Sequence, residues 1–152
     1  MTIVGKKCKL TRRQIREKAV QTLYQLLEPR EDVTLESALA FSMKAGNDPE
    51  VGFEDVKDTY LTEVVTGVTT HTDTLDEHIT SLLSDGWTIN RLAKIDLTIL
   101  RLAMYEVLFV DNAVVPPQVA VDEAIELSKF FSDGKSTNFI AGVLSKFISD
   151  KV

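Results

Sequence analysis

RLAKIDLTILRLAMYEVLFV, residues 91–110, runs without a glycine or a proline. Apolar side chains recur over much of its helical circumference, not along a single stripe, which is the pattern of a helix buried on most sides. The stretch therefore predicts a central helix over Arg91–Val110, and this reading sets the rest of the chain as an all-α fold.

Working outward towards the C-terminus, NAVVPP (112–117) is a turn, and Pro117 suits the first position of a helix. That helix continues through Ala124 and Ile125 to Phe131, where SDG (132–134) breaks it. Ser136–Ser149 follows as a last amphipathic helix carrying Phe139, Val143 and Phe147. Towards the N-terminus, SDGW (84–87) stops a short helix over Thr72–Leu83. Before it, Phe53–Thr70 carries one stripe of Val56, Tyr60, Val64 and Val68, and Leu35–Ala45 is closed by Gly46 and Pro49.

The first helix has a complete start signal in LTRRQI (10–15). Thr11 is the N-cap, Gln14 completes a capping box, and Leu10 and Ile15 stand at the positions of a hydrophobic staple. Ile15, Ala19, Leu23 and Leu26 then recur at helical spacing until Pro29 ends the element. Arg13, Arg16, Val20 and Tyr24 share an adjacent flank. No alternating run argues for a strand pair. The expectation is an all-α fold of about seven helices, with Met104, Phe109, Phe130, Phe131 and Phe147 in the core. These make one domain, 1–152, with a basic arm over 1–11.

With 152 residues, 44% hydrophobic and 26% charged, the composition is that of a globular protein able to bury a core. No stretch approaches the roughly 18 apolar residues of a membrane span, and no apolar segment follows the N-terminal lysines as a secretory signal requires. The single cysteine, Cys8, excludes an internal disulfide and a Cys-cluster zinc site. A cytoplasmic location follows as the expectation.

The net charge is −6, unevenly spread. Residues 6–18 hold Lys6, Lys7, Lys9, Arg12, Arg13, Arg16 and Lys18 against the single acid Glu17, so this window is +6 and the remainder −12. A basic arm on an acidic body suits an anionic partner confined to one surface, or else is a solvated tail. Cations at a helix start oppose the macrodipole, which invites a functional reading. Arginine offers phosphate a planar fork of two donors, and such segments often order on RNA.

SDGKSTNF (132–139) resembles half of a phosphate loop. Lys129 stands where the first glycine of the full motif would be and no strand precedes it, so nucleotide hydrolysis is excluded. Gly134, Lys135 and the following helix start could hold a phosphate, or the stretch is a glycine break with Ser136 as N-cap. Phe139, beside Lys135 and Asn138, could stack on an unpaired base. His71 and His78 lie seven apart without an intervening ligand, a solvated face and not a metal site. Nothing supplies a nucleophile, base and orienting acid at recognisable spacing.

RRQIREKAVQTLYQ (12–25), LAKIDLTILRLAMYE (92–106) and VPPQVAVDEAIELSKFFSDGKSTNFIAGVL (115–144) together resemble the NusB family of bacterial transcription antitermination factors. The resemblance implies an all-helical, non-enzymatic protein of two small packed bundles, helical subdomains of approximately 11–85 and 86–152, and no cofactor is expected. Its ligand would be single-stranded boxA RNA in ribosomal RNA transcripts. Its partner would be the small-subunit ribosomal protein that acts as NusE, within the antitermination complex on RNA polymerase.

Carried over position by position, the resemblance gives Arg12, Arg13 and Arg16 to the RNA backbone, with Lys9 in support, and Lys135 and Phe139 to the RNA surface. Tyr24 and Asp96 would meet the ribosomal protein. Self-association as a homodimer stays open. Two rivals stand beside this reading. One is an adaptor whose basic arm binds an acidic protein. The other is the helical front of a ribosomal RNA cytosine methyltransferase, whose α/β cofactor domain this sequence lacks.

Overall fold

The computed structural model describes residues 10–44 and 58–151. Among the described residues are seven α-helices, one 3-10 turn and no strand, as the hydrophobic periodicity predicts. Lys6, Lys7, Cys8 and Lys9 lie outside the described residues, as do Ala45, Gly46, Pro49, Phe53 and Val56. The chain divides into two compact units, Met1–Thr66 and Gly67–Val152. The family resemblance puts the division near residue 85. The helix over Thr72–Leu82 instead belongs with the C-terminal helices, because it packs on the central helix and on the last one.

In the first unit, α1 (Arg12–Gln25) packs on α2 (Leu35–Lys44). The capping box forms: Gln14 N–H donates to Thr11 Oγ1 at 3.1 Å, and Thr11 N–H to Gln14 Oε1 at 2.8 Å. Leu10, Ile15, Ala19 and Leu23 are buried. Gln25 joins the two helices, its amide donating to Ala38 O and Ser42 Oγ, both at 3.0 Å. The helix ends at Gln25, four residues before Pro29. Helix α3 (Thr59–Thr70) begins in this unit, its first turn capped by the Asp58 carboxylate, which accepts from Leu61 N–H at 2.9 Å.

The second unit is built on α5 (Lys94–Phe109), where eleven consecutive or near-consecutive residues from Asp96 to Val107 are buried. It is flanked by α4 (Thr72–Leu82), α6 (Pro117–Phe131) and α7 (Gly134–Lys151). The central helix starts three residues later than its sequence suggests. Ile89–Arg91 forms a 3-10 turn, and Leu92 and Ala93 are extended. A stretch without Gly or Pro permits a helix but does not compel one. Here the Arg91 guanidinium turns back to donate to Gly86 O at 3.2 Å and to lie over the Trp87 ring. The turn before it closes with Trp87 N–H on Ser84 O, and Gly86 at φ +87° takes the left-handed conformation that glycine adopts freely.

The core residues also differ in part from expectation. Met104 and Phe147 are buried, but Phe130 is 66% exposed, Phe109 is 42% exposed and Phe131 is half-buried. Adjacent positions on a helix point about 100° apart, so Phe130 and Phe131 cannot both face one core; they pack edge to face on each other. Phe109 closes a stack, 4.2 Å from His71 and 5.2 Å from Tyr105 between ring centres. No described helix is long and apolar enough to cross a membrane.

Candidate nucleic-acid interface

At the start of α1, Arg12 and Arg13 are exposed, as an electrostatic contact with RNA requires. The Arg12 guanidinium lies 4.1 Å from the centre of the Tyr60 ring, which holds the charge in place while leaving its edge open. Arg16 does not share their exposure. It is only 4% exposed and lies among the buried residues of the helix. The sequence places it outward because arginine is usually solvated. Its long stem can lie along apolar surface, and α1 is buried over more than one face. Val20, on the same flank, is buried too, whereas Tyr24 at the far end is 47% exposed. Lys18 is buried as well, and burial lowers its pKa against the opposing pull of Glu17. Of the charges counted in the basic window, the described ones that α1 offers to solvent are thus fewer than the sequence suggests.

The second unit contains a cleft of about 600 Å³. Lys135 and Phe139, which the family resemblance gives to RNA, line it together with Asp96, which the resemblance groups with Tyr24. It is also lined by Trp87, Arg91 and Lys146, to which the sequence alone assigns no role. Trp87 is legible there only as the residue after a glycine stop, and no local signal marks it as the wall of a site. It is 50% exposed, with Arg91 5.1 Å from its ring centre. Lys135, Lys146 and Arg91 are exposed and Phe139 is half-buried, so the cleft combines a cationic rim with two aromatic rings.

Asp96 is 7% exposed, and its buried Oδ1 has no hydrogen-bond donor among the described residues. Burial raises its pKa; a hydrogen bond from Ser136 opposes the shift and the charge of Asp133 adds to it. Ser136 is itself fixed by a hydroxyl pair, Ser132 Oγ to Ser136 Oγ at 2.8 Å, beside a second pair, Ser128 Oγ to Thr137 Oγ1 at 2.9 Å. These bonds hold the ends of α6 and α7 together at the edge of the cleft.

The start of α7 departs from both readings of SDGK. Gly134 is the first helical residue, not a break before Ser136. Asp133 is the cap: its Oδ1 accepts from Ser136 N–H at 3.0 Å, and its carbonyl from Thr137 N–H at 3.0 Å. A carboxylate thus already occupies the place where a phosphate would sit, because Asp satisfies the free N–H groups and the dipole at once. Lys135 is left to act through its side chain.

Among the described residues, no group of three or more His, Cys, Asp or Glu could hold a metal ion. His71 and His78 are each engaged with a ring, Phe109 and Phe147 respectively.

A model of the NusB family matches residues 13–149. The transcription antitermination protein NusB of Enterococcus faecalis is 44% identical over 147 residues, 95% of this chain and 93% of that protein. The solved structure of T. maritima NusB superposes with a TM-score of 0.71 at 32% identity, covering 91% of this chain and 90% of that one. Antitermination factor NusB in a crystal structure with NusE and double-stranded RNA shares the fold, with a TM-score of 0.69 at 23% identity over 89% of this chain and 93% of that one.

Proposed function

The chain belongs to the NusB family, and on that basis we propose that it is a non-enzymatic, RNA-binding transcription antitermination factor of the cytoplasm. Its ligand is single-stranded boxA RNA in ribosomal RNA transcripts. It binds that RNA jointly with the small-subunit ribosomal protein acting as NusE, in the antitermination complex on RNA polymerase. The observation that carries the proposal is the family match over residues 13–149. The relatives' name supplies antitermination, and the exposed Arg12 and Arg13 supply the chemistry for RNA.

In this reading Arg12 and Arg13 bind phosphates, and so carry salt-dependent affinity that is largely indifferent to sequence. Lys9 extends the same positive field. Arg16, being buried, serves RNA by holding α1 in shape. Phe139 and Lys135 form a second contact, the ring for a base and the ammonium for a phosphate. Tyr24 offers the ribosomal protein an exposed aromatic ring, a residue type enriched at interfaces.

Reconstituted transcription through a terminator tests the function. Purified polymerase, the antitermination factors and a boxA template are assayed with and without this chain. Read-through that rises with the chain, and fails to rise when boxA is scrambled, is the expected result. Read-through unchanged by adding the chain would overturn the proposal.

A further inference from the structure

Tyr60 reads in the sequence as one member of an apolar stripe with Val64 and Val68, and nothing there ties it to RNA. Val64 and Val68 are buried, but Tyr60 is only half-buried, and the Arg12 guanidinium lies over its ring at 4.1 Å from the centre. The contact crosses between two helix starts. Arg12 is the first residue of α1 and Tyr60 the second of α3. The Asp58 carboxylate, accepting from Leu61 N–H at 2.9 Å, fixes the backbone on both sides of Tyr60. The ring is therefore held firmly while the cation it meets is exposed.

The kind of partner matters. A carboxylate at the same place would also hold Arg12, but it would cancel the charge and occupy N–H donors that a phosphate needs. A ring face attracts the cation through its quadrupole and takes none of those donors. An unheld arginine side chain samples many rotamers, and freezing them opposes binding. A ring that already confines the guanidinium removes part of that cost. We propose that Tyr60 is a positioning residue for RNA binding, its ring holding the Arg12 guanidinium in place before a phosphate arrives. Tyr60 acts through Arg12 and needs no contact of its own with RNA. The inference rests on the RNA-binding reading and adds to it an uncharged residue far outside the basic window.

A double-mutant cycle on RNA affinity tests this. Labelled boxA RNA is titrated by anisotropy with the full chain, Tyr60→Leu, Arg12→Ala and the double variant, each with the ribosomal protein present. Thermal unfolding of each variant sets an assay temperature below every transition. Tyr60→Leu should weaken binding about two- to fivefold while the salt slope stays the same, because every charge remains. Tyr60→Met, which also removes the ring and keeps apolar bulk, should do likewise, and Tyr60→Phe should restore the affinity. In the Arg12→Ala background Tyr60→Leu should cost nothing further. An equal loss in both backgrounds would mean that Tyr60 acts without Arg12. Unchanged or tighter binding by Tyr60→Leu and Tyr60→Met, or no rescue by Tyr60→Phe, would mean that the ring does not prepare the cation. Each of these results overturns the inference and leaves the RNA-binding function standing. No binding of boxA RNA by the unsubstituted chain, with or without the ribosomal protein, would overturn both together.

Discussion

Arg101 and Asp76 meet as a two-pronged ion pair, Nε to Oδ1 and Nη2 to Oδ2 at 2.8 Å each, clamping α5 to α4. Both side chains are largely shielded, at 16% and 25% exposure. The paired geometry and partial burial set it apart from surface ion pairs such as Lys129–Glu126, which is 3.2 Å long and open to solvent. Arg101→Met leaves the Asp76 carboxylate half-desolvated without its donors. It should lower unfolding free energy by about 1–3 kcal/mol in urea titrations, while Lys129→Met should change it by less than about 0.5 kcal/mol.

Gly67 sits against Tyr105, so that a Cβ added at residue 67 would overlap the Tyr105 ring. Gly67→Ala should therefore destabilise by about 1–3 kcal/mol, even though alanine is the better helix former. Pairing it with Tyr105→Leu should recover part of the loss, and a double-mutant cycle by thermal or urea unfolding measures the coupling.

The buried carboxyl of Asp96 gives stability a pH dependence of definite sign. Burial raises its pKa above the ordinary value of 3.8, so the folded protein holds this proton more tightly than the unfolded chain does. Its contribution is most favourable below 3.8 and declines as pH rises through the interval up to the raised value. Asp96→Asn removes the ionisation. The variant should be more stable than the unsubstituted protein at neutral pH, and that advantage should shrink or vanish below the ordinary carboxylate pKa, in paired urea titrations.

Helix α1 separates two kinds of arginine. Arg12→Ala and Arg13→Ala should each leave stability within about 0.5 kcal/mol and flatten the dependence of RNA affinity on salt by about 0.7 in log–log slope. Arg16→Ala should instead lower stability by about 1–3 kcal/mol, since it removes a buried side chain together with its hydrogen-bonding head.

These contrasts show how far the sequence carries. The start of α1 was legible because a capping box is local: four residues, Leu10, Thr11, Gln14 and Ile15, state it completely. The all-α class was legible because periodicity over 91–110 is long. The first turn of α5 was not, since the choice between helix and turn at Ile89–Ala93 depends on Arg91 reaching back to Gly86 and Trp87. Arg16 misled because its charge says nothing of what covers its stem. Asp133 hid in a glycine turn: SDGK reads as a break, yet the Asp side chain starts the helix there. The cleft was legible only in halves. Phe139 and Lys135 are neighbours in sequence, but Asp96 and Trp87 join them only through the packing of α4, α5 and α7.

The central claim is sequence-selective binding of single-stranded RNA, and binding of boxA RNA across a salt series tests it most directly. Anisotropy titrations of boxA RNA and a scrambled control, each with and without the ribosomal protein, give affinity and salt slope together. Affinity should fall as salt rises for both RNAs, boxA should stay the tighter ligand throughout, and the ribosomal protein should widen the gap. Equal affinity for boxA and scrambled RNA at every salt concentration, with or without the partner, would contradict the claim.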